Sequence, residues 1–405
     1  MKSVVQVFSF DILSKVLLGV TGIILIRFMP EIEYARYTLA LSLVSVVTQT
    51  LVSSFKRIYI VGYQRFKLEN SPSLFLGLQL WGICLLVLMT LPFKDFTEGV
   101  YWFVVAAIIA TCLSEFAKTV VQQQLKFLQF SIIEMARTLV FVLSLLCLIY
   151  FIRYELKAWQ VLLVQAMAMF LVFSTVFSKY LDLKSLFKMG ESVRFALELV
   201  KGEYKYVFGY FFVFAFFSQV DVFVLKALAG SVELATYGSA FRYYSLLLLA
   251  LGAVHAVLLP VIQRIQSIDE LESILAQHKR MLLVFVPLVL LGAWLSKWVI
   301  PWLDMGKYPN AAIVFQILAI SAIVSFAFSP HSNLVMRFED FRFLFISICM
   351  GLLVNVGLCV WLVPILGATG PAIATLITFG SVNVSIFLRS RKHRKSLASL
   401  QQGDS

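Results

Sequence analysis

"FFSQVDVFVLKALAGSVELATYGSAFRYY", Phe216 to Tyr244, sets a carboxylate (Asp221), an ammonium (Lys226) and a guanidinium (Arg242) within or beside apolar runs. The runs decide the fold, and the charges point to what the fold is for. Around this stretch the composition stays oily: 60% of the 405 residues are hydrophobic, 14% are charged and 37 are Phe. Mean hydropathy is +0.90. A soluble domain is about a quarter charged. No water-soluble core needs apolar runs of about 20 residues repeated end to end, the length that crosses a hydrocarbon layer of about 30 Å. The chain therefore reads as an all-α integral membrane protein.

About twelve spans are expected, at 7–28, 37–55, 74–92, 100–118, 132–152, 158–178, 206–228, 237–261, 281–300, 311–335, 343–363 and 369–388. Gly, Pro and charge punctuate the segments between them. The first run carries Asp11 and Lys15 and no small-residue cleavage pattern, so it reads as a membrane helix and not as a cleaved signal. With the N-terminus in the cytoplasm, 23 Lys and Arg fall on inner segments and 7 on outer ones. By the positive-inside rule both termini are then cytoplasmic. Trp102, Trp159, Trp298, Trp302 and Trp361 fall at outer helix ends, the interface that indoles prefer. The net charge of +12 thus needs no nucleic acid, and the basic tail "RSRKHRKS" reads as an anchor to inner-leaflet lipids.

The longest polar connection divides the spans six and six. The expected layout is a bundle over 1–178, an amphipathic cytoplasmic linker over 179–205, a second bundle over 206–388 and a basic cytoplasmic tail over 389–405. A repeat accompanies this division. "EIEYARYTLALS" begins at Glu31 and "SVELATYGSAFR" at Ser231, and at an offset of 200 residues Glu33 pairs with Glu233, Ala35 with Ala235, Tyr37 with Tyr237 and Ala40 with Ala240. Six helices per half is an even number, so both halves enter the membrane from the same side. Two six-helix bundles about a pseudo-twofold axis along the membrane normal follow, with a lumen between them that opens to either side in turn.

Other chemistries find little support. Cys84, Cys112, Cys147, Cys349 and Cys359 are scattered through apolar segments without paired spacing, and the four histidines lie apart. No phosphate-binding G-x-x-x-x-G-K-[ST] loop occurs, so neither a cofactor, a metal site nor a catalytic constellation is expected. The intramembrane charges are the informative residues, because a charge at the bilayer centre costs roughly 2.5–3.5 kcal/mol on insertion scales. Asp11 and Lys15, Glu115 and Lys118, and Glu134 and Arg137 stand one helical turn apart, which for Glu115 and Lys118 reads first as internal pairing. Asp221 and Lys226 are five apart, a poor same-face spacing, so Asp221 is expected to find its partner on another helix. The proposed substrate groups are Arg27, Lys226 and Arg242 around the outer lumen, with Lys15 and Arg137 serving its inner part. Such a cationic lumen suits an anionic phosphate head group. Asp221, Glu134 and Asp11 are the candidates for coupling to protons or sodium.

On "LSKVLLGVTGIILIRFMPEIEYARYTLALSLVS", "SQVDVFVLKALAGSVELATYGSAFRYYS" and "LGATGPAIATLIT", the chain resembles the Wzx-type flippases. These form the polysaccharide-transporter branch of the multidrug/oligosaccharidyl-lipid/polysaccharide exporter superfamily. The turn "MPEIEYARY" departs from the Gly-containing turn usual there. The resemblance implies translocation of an undecaprenyl-diphosphate-linked oligosaccharide, an O-antigen or capsule repeat unit, from the inner to the outer leaflet of a bacterial plasma membrane. A polysaccharide polymerase and a chain-length regulator are the protein partners it implies. A drug/cation antiporter of the sibling branch would need a mainly acidic lumen, and a glycolipid-processing enzyme would need large outer loops. A peptidoglycan-precursor flippase would be longer, with about fourteen helices.

Overall fold

The computed structural model describes residues 2–62, 72–124, 126–151, 155–180, 204–263, 265 and 267–403. Thirteen α-helices run through them: α1 Lys2–Phe28, α2 Glu31–Gly62, α3 Pro72–Thr90, α4 Tyr101–Gln123, α5 Phe127–Phe151, α6 Ala158–Tyr180, α7 Tyr204–Phe217, α8 Val220–Leu228, α9 Gly230–Gln263, α10 Ile268–Leu303, α11 Ala311–Arg337, α12 Phe341–Leu366 and α13 Thr369–Gly403. Each expected span falls on a helix. Eight of the described helices are long and apolar enough to cross a membrane alone, and α7 with α8 makes a ninth. The protein is a multi-pass membrane protein. Large apolar side chains stand exposed along these helices, such as Leu283, Val284 and Leu288 at 65–70% on α10, an outer surface suited to acyl chains and not to water.

The seventh span departs from expectation. It is two helices, not one, broken at Ser218 and Gln219. No proline causes the break. Gln219 N–H bonds back only three residues, to Phe216 O at 3.0 Å, and the Ser218 hydroxyl takes the Ala215 carbonyl at 2.8 Å. Ser218 Oγ also reaches Gln49 Oε1 on α2, at 3.3 Å. The Gln219 N–H has thus left the Ala215 carbonyl, its α-helical acceptor, for a tighter i−3 bond, and the α ladder stops there. Prolines elsewhere do not break the helices. Pro287 and Pro330 lie inside the continuous helices α10 and α11, while Gly367 makes the turn between α12 and α13.

The chain divides into two compact units, residues 1–219 and 220–405. In the first, α1 packs on α5, α2 on α4, α4 on α6, and α5 on α6, with α7 against α2. In the second, α8 packs on α12, α9 on α11, α11 on α13, and α12 on α13. Numbering the helices within each unit gives one shared scheme: first on fifth, second on fourth, fourth on sixth, fifth on sixth. The repeat read from 24 residues of sequence is thus a repeat of packing.

Its most specific trace is a carboxylate. Glu33, in the first turn of α2, accepts the Ala158 N–H at 2.8 Å where α6 begins. Glu233, in the first turn of α9, accepts the Ala368 N–H at 2.6 Å just before α13. Each Glu therefore serves two helix N-termini, where amide donors lack intrahelical partners and the dipole favours negative charge. Tyr34, Ala35, Tyr37 and Ala40 are buried, as are Leu234, Ala235, Tyr237 and Ala240. The polar connection at 179–205 lies almost wholly outside the described residues, and the basic tail continues α13 without a break to Gly403.

Candidate functional site

Each unit carries a buried polar cluster. In the first unit a short turn after Gln123 folds α5 back along α4, which brings the two acid–base pairs to one depth. Lys118 Nζ lies 2.7 Å from Glu115 on its own helix and 2.6 Å from Glu134 on α5. Arg137 completes the ring, bonding Glu134 on its own helix and Glu115 at 3.2 Å. Internal pairing along a helix is only half of the arrangement, since every charge also has a partner across the interface. Side-chain exposures of 9–21% put all four in a low dielectric, where satisfied pairs hold firmly and an orphaned charge is costly.

Lys56 of α2 brings a fifth charge to this cluster. Its ammonium lies 5.8 Å from the centroid of Phe130, whose ring also meets Lys118 Nζ at 5.1 Å. A void of about 10 Å³ lined by Lys56, Gln79, Glu115 and Thr119 has room for about one water. Beside Arg137, the Thr138 hydroxyl meets Ser14 Oγ of α1 at 2.7 Å and ties α1 to the same face of α5.

In the second unit, Asp221 is only 5% exposed. Its Oδ2 accepts the Tyr237 hydroxyl of α9 at 2.5 Å and the Thr375 hydroxyl of α13 at 2.7 Å. The Cys359 thiol of α12 lies 3.6 Å from Oδ1 and 3.5 Å from Asn355 Oδ1. Its partners thus come from three other helices. Among the described residues no basic side chain pairs with it, and Lys226 instead donates to Ser231 Oγ at 3.0 Å. With no described base beside it, this carboxyl's charge is balanced only by hydroxyl donors, a proton or a bound cation.

The remaining expected residues are dispersed. Lys15 on α1 and Arg242 on α9 are half-buried, and Arg27 is exposed at the end of α1. The side chain of Asp11 lies outside the described residues. Of the expected set, the structure joins only Glu134 with Arg137, adding Glu115 and Lys118, and it surrounds Asp221 with residues that sequence spacing did not select. Nothing in the sequence marks Asn355 or Thr375, because no spacing rule connects residue 221 with 355 or 375.

Asp304 was also missed. Set after the last turn of α10 in "DMGKYPN", it looks like loop punctuation, yet it is fully buried, accepting the Ser239 hydroxyl at 2.5 Å and the Tyr243 hydroxyl. Burial pushes its carboxyl above the ordinary range, against the pull of those two bonds.

No protein-family model matches the chain, and no curated protein matches it in sequence. Solved structures do match. The lipid II flippase MurJ in an inward closed conformation superposes with a TM-score of 0.75 at 15% identity, covering 97% of this chain and 90% of that one. An inward-facing multidrug resistance MATE family transporter of the MOP superfamily gives 0.74 at 12% identity, covering 98% and 99%. A MOP superfamily transporter from Pyrococcus furiosus, described as having a binding pocket of reverse polarity, gives 0.63 at 12% identity over 97% and 94%. The chain therefore has the all-helical, two-bundle fold seen in the transporters and flippases of that superfamily.

Proposed function

We propose that the protein is a flippase that carries a lipid-linked oligosaccharide on undecaprenyl diphosphate from the inner to the outer leaflet of a bacterial plasma membrane. Both termini lie in the cytoplasm, and the cargo crosses by alternating access. Arg27, Lys15, Lys226 and Arg242 supply the field for the diphosphate, while the polyprenyl chain stays in lipid. Arg137 joins them only by exchanging a partner, since two carboxylates already hold it.

One observation carries this reading over a drug or cation antiporter. The intramembrane acids whose side chains are described at Glu115, Glu134 and Asp221 are each engaged inside their own unit, two by bases and one by hydroxyls. Acids so engaged do not line an acidic lumen. Likeness to both a lipid II flippase and a MATE transporter fits either cargo, so this reading rests on the charges. Asp221 is the coupling group: a carboxyl without a basic partner can exchange a proton or a small cation as the bundle moves. Glu134 and Asp11 are secondary, Glu134 because releasing a proton or ion there disturbs the whole charged ring.

The test is a strain lacking the gene, examined for lipid-linked repeat units trapped in the cytoplasmic leaflet. Complementation with Arg242→Gln or Arg27→Gln should fail or fall at least tenfold in rate in reconstituted vesicles. Full transport by both variants would refute the cationic lumen. Efflux of cationic drugs with no effect on lipid-linked sugars would favour the antiporter.

A further inference from the structure

We propose that a cavity between α10, α11 and α13 in the second unit is a binding site for the phosphate head of an anionic lipid, separate from the substrate path. The cavity has a volume of about 100 Å³, several times the roughly 10–15 Å³ that holds one water. Its polar end is made by His331 of α11 with Ser390, Arg391 and Arg394 of α13. Its other walls are apolar, chiefly Leu275, Leu334 and Phe387.

The face that α13 presents is built by helical spacing. Phe387, Ser390, Arg391 and Arg394 follow one another at i, i+3, i+4 and i+7, so one stripe lines the cavity. Arg389 and His393 lie off that stripe, both held by Asp340 at 2.6 and 3.3 Å. The basic residues of this segment are therefore sorted, some to a structural carboxylate and some to the cavity.

Within the cavity, Ser390 Oγ donates to Phe387 O at 2.7 Å and meets His331 Nδ1 at 3.0 Å, which orients the imidazole. Arg391 lies 5.3 Å from the Phe387 ring centroid, and among the described residues no carboxylate pairs with it. Arg394 holds Glu272, but that pair is exposed at 45% and 54%, so a phosphate exchanges with it readily. Two guanidiniums at one pocket provide bidentate donors for phosphate oxygens.

The same chemistry would hold a free phosphate ester. The lipid is favoured by position and by the walls. The apolar part of α13 ends at Leu388 and the cavity stripe begins at that level, where head groups lie beside a juxtamembrane basic segment. Apolar side chains on three helices give the first methylenes of an acyl chain a surface that a soluble phosphate would leave dry.

The experiment titrates the purified full-length protein, in an uncharged detergent, with dioctanoyl phosphatidylglycerol, dioctanoyl phosphatidylcholine and inorganic phosphate, following binding by thermophoresis. Saturable binding of phosphatidylglycerol is expected, at least tenfold tighter than of the other two. R391Q/R394Q should weaken it tenfold or more. Leu275→Trp, which fills the cavity and keeps every charge, should do the same, and Lys392→Gln, on the other side of α13, should change it less than twofold. Melting curves establish that each variant is folded. Equal binding of phosphatidylcholine, or unchanged binding by Leu275→Trp, overturns the site. Inorganic phosphate binding as tightly as phosphatidylglycerol overturns the lipid in favour of a soluble ester. A loss in Lys392→Gln equal to that in the double variant reduces the effect to general charge.

Discussion

Removing the Glu233 carboxylate should destabilise the second unit at the start of its sixth helix. Glu233 Oε2 receives the Ala368 N–H at 2.6 Å, and Gly367 beside it sits at φ +53° with its missing Cβ position 2.5 Å from the same oxygen. A hydrogen bond to a charged group contributes about 1.5–3 kcal/mol, and a carboxylate at a helix N-terminus adds about 0.3–1 kcal/mol. Glu233→Ala should therefore cost about 2–4 kcal/mol, and Glu233→Gln less, since the amide oxygen still accepts. For a unit of this size each kcal/mol corresponds to roughly 2–4 °C, so the alanine variant should melt about 4–16 °C lower at a fixed scan rate.

Gly367→Ala should also destabilise, because a side chain there meets both an unfavourable φ and the carboxylate. Only the steric part should be relieved in the double variant, so the two costs should fall short of their sum by more than about 0.5 kcal/mol. Glu33→Ala provides the parallel in the first unit. The reasoning fails if Glu233→Ala melts with wild type, or if the double variant is strictly additive.

Three further outcomes follow from named contacts. Lys118→Met leaves Glu115 and Glu134 to share Arg137 and should cost about 3–5 kcal/mol, with part of that loss recovered by adding Glu115→Gln; a melt unchanged by Lys118→Met would contradict the ring. Asp221→Asn keeps the shape and removes the exchangeable charge, so it should preserve the melting temperature while abolishing the dependence of transport on a proton or sodium gradient; retained gradient dependence would exclude Asp221 as the coupling group. Burial alone would raise Asp340, but the bonds from Arg389 and His393 outweigh it and hold its carboxyl below the ordinary range. Its contribution is thus present at neutral pH and is lost as pH falls below the usual carboxylate value. Asp340→Asn should lower the melting temperature at pH 7 and flatten the acid limb, and a parallel shift at every pH would refute this.

Much of the fold was legible because the bilayer simplifies the reading. Where no water satisfies the backbone, an apolar run of span length closes its hydrogen bonds as a helix, and hydropathy finds it. Ser231–Arg242 could be matched to Glu31–Ser42 because a duplicated hairpin keeps its buried alanines and tyrosines at the same offsets. What that match could not disclose was the job of its shared glutamate. The partner amides, at Ala158 and Ala368, lie 125 and 135 residues away, at separations that differ between the halves. Nor did the run from 206 to 228 betray its break, because Ser218 and Gln219 are tolerated in many continuous helices, and here it is the Gln49 contact and the local carbonyl bonds that accompany the turn.

Composition and periodicity alone thus point to a multi-pass helical membrane chain in two related sets, because those properties are local and are written every few residues. The assignment of charges to partners came only from the folded chain. Lys118 finds Glu134, Tyr237 and Thr375 close on Asp221, and Asp304 turns inward to Ser239 and Tyr243, since a buried charge takes whatever donor the packing of distant helices sets within about 3 Å.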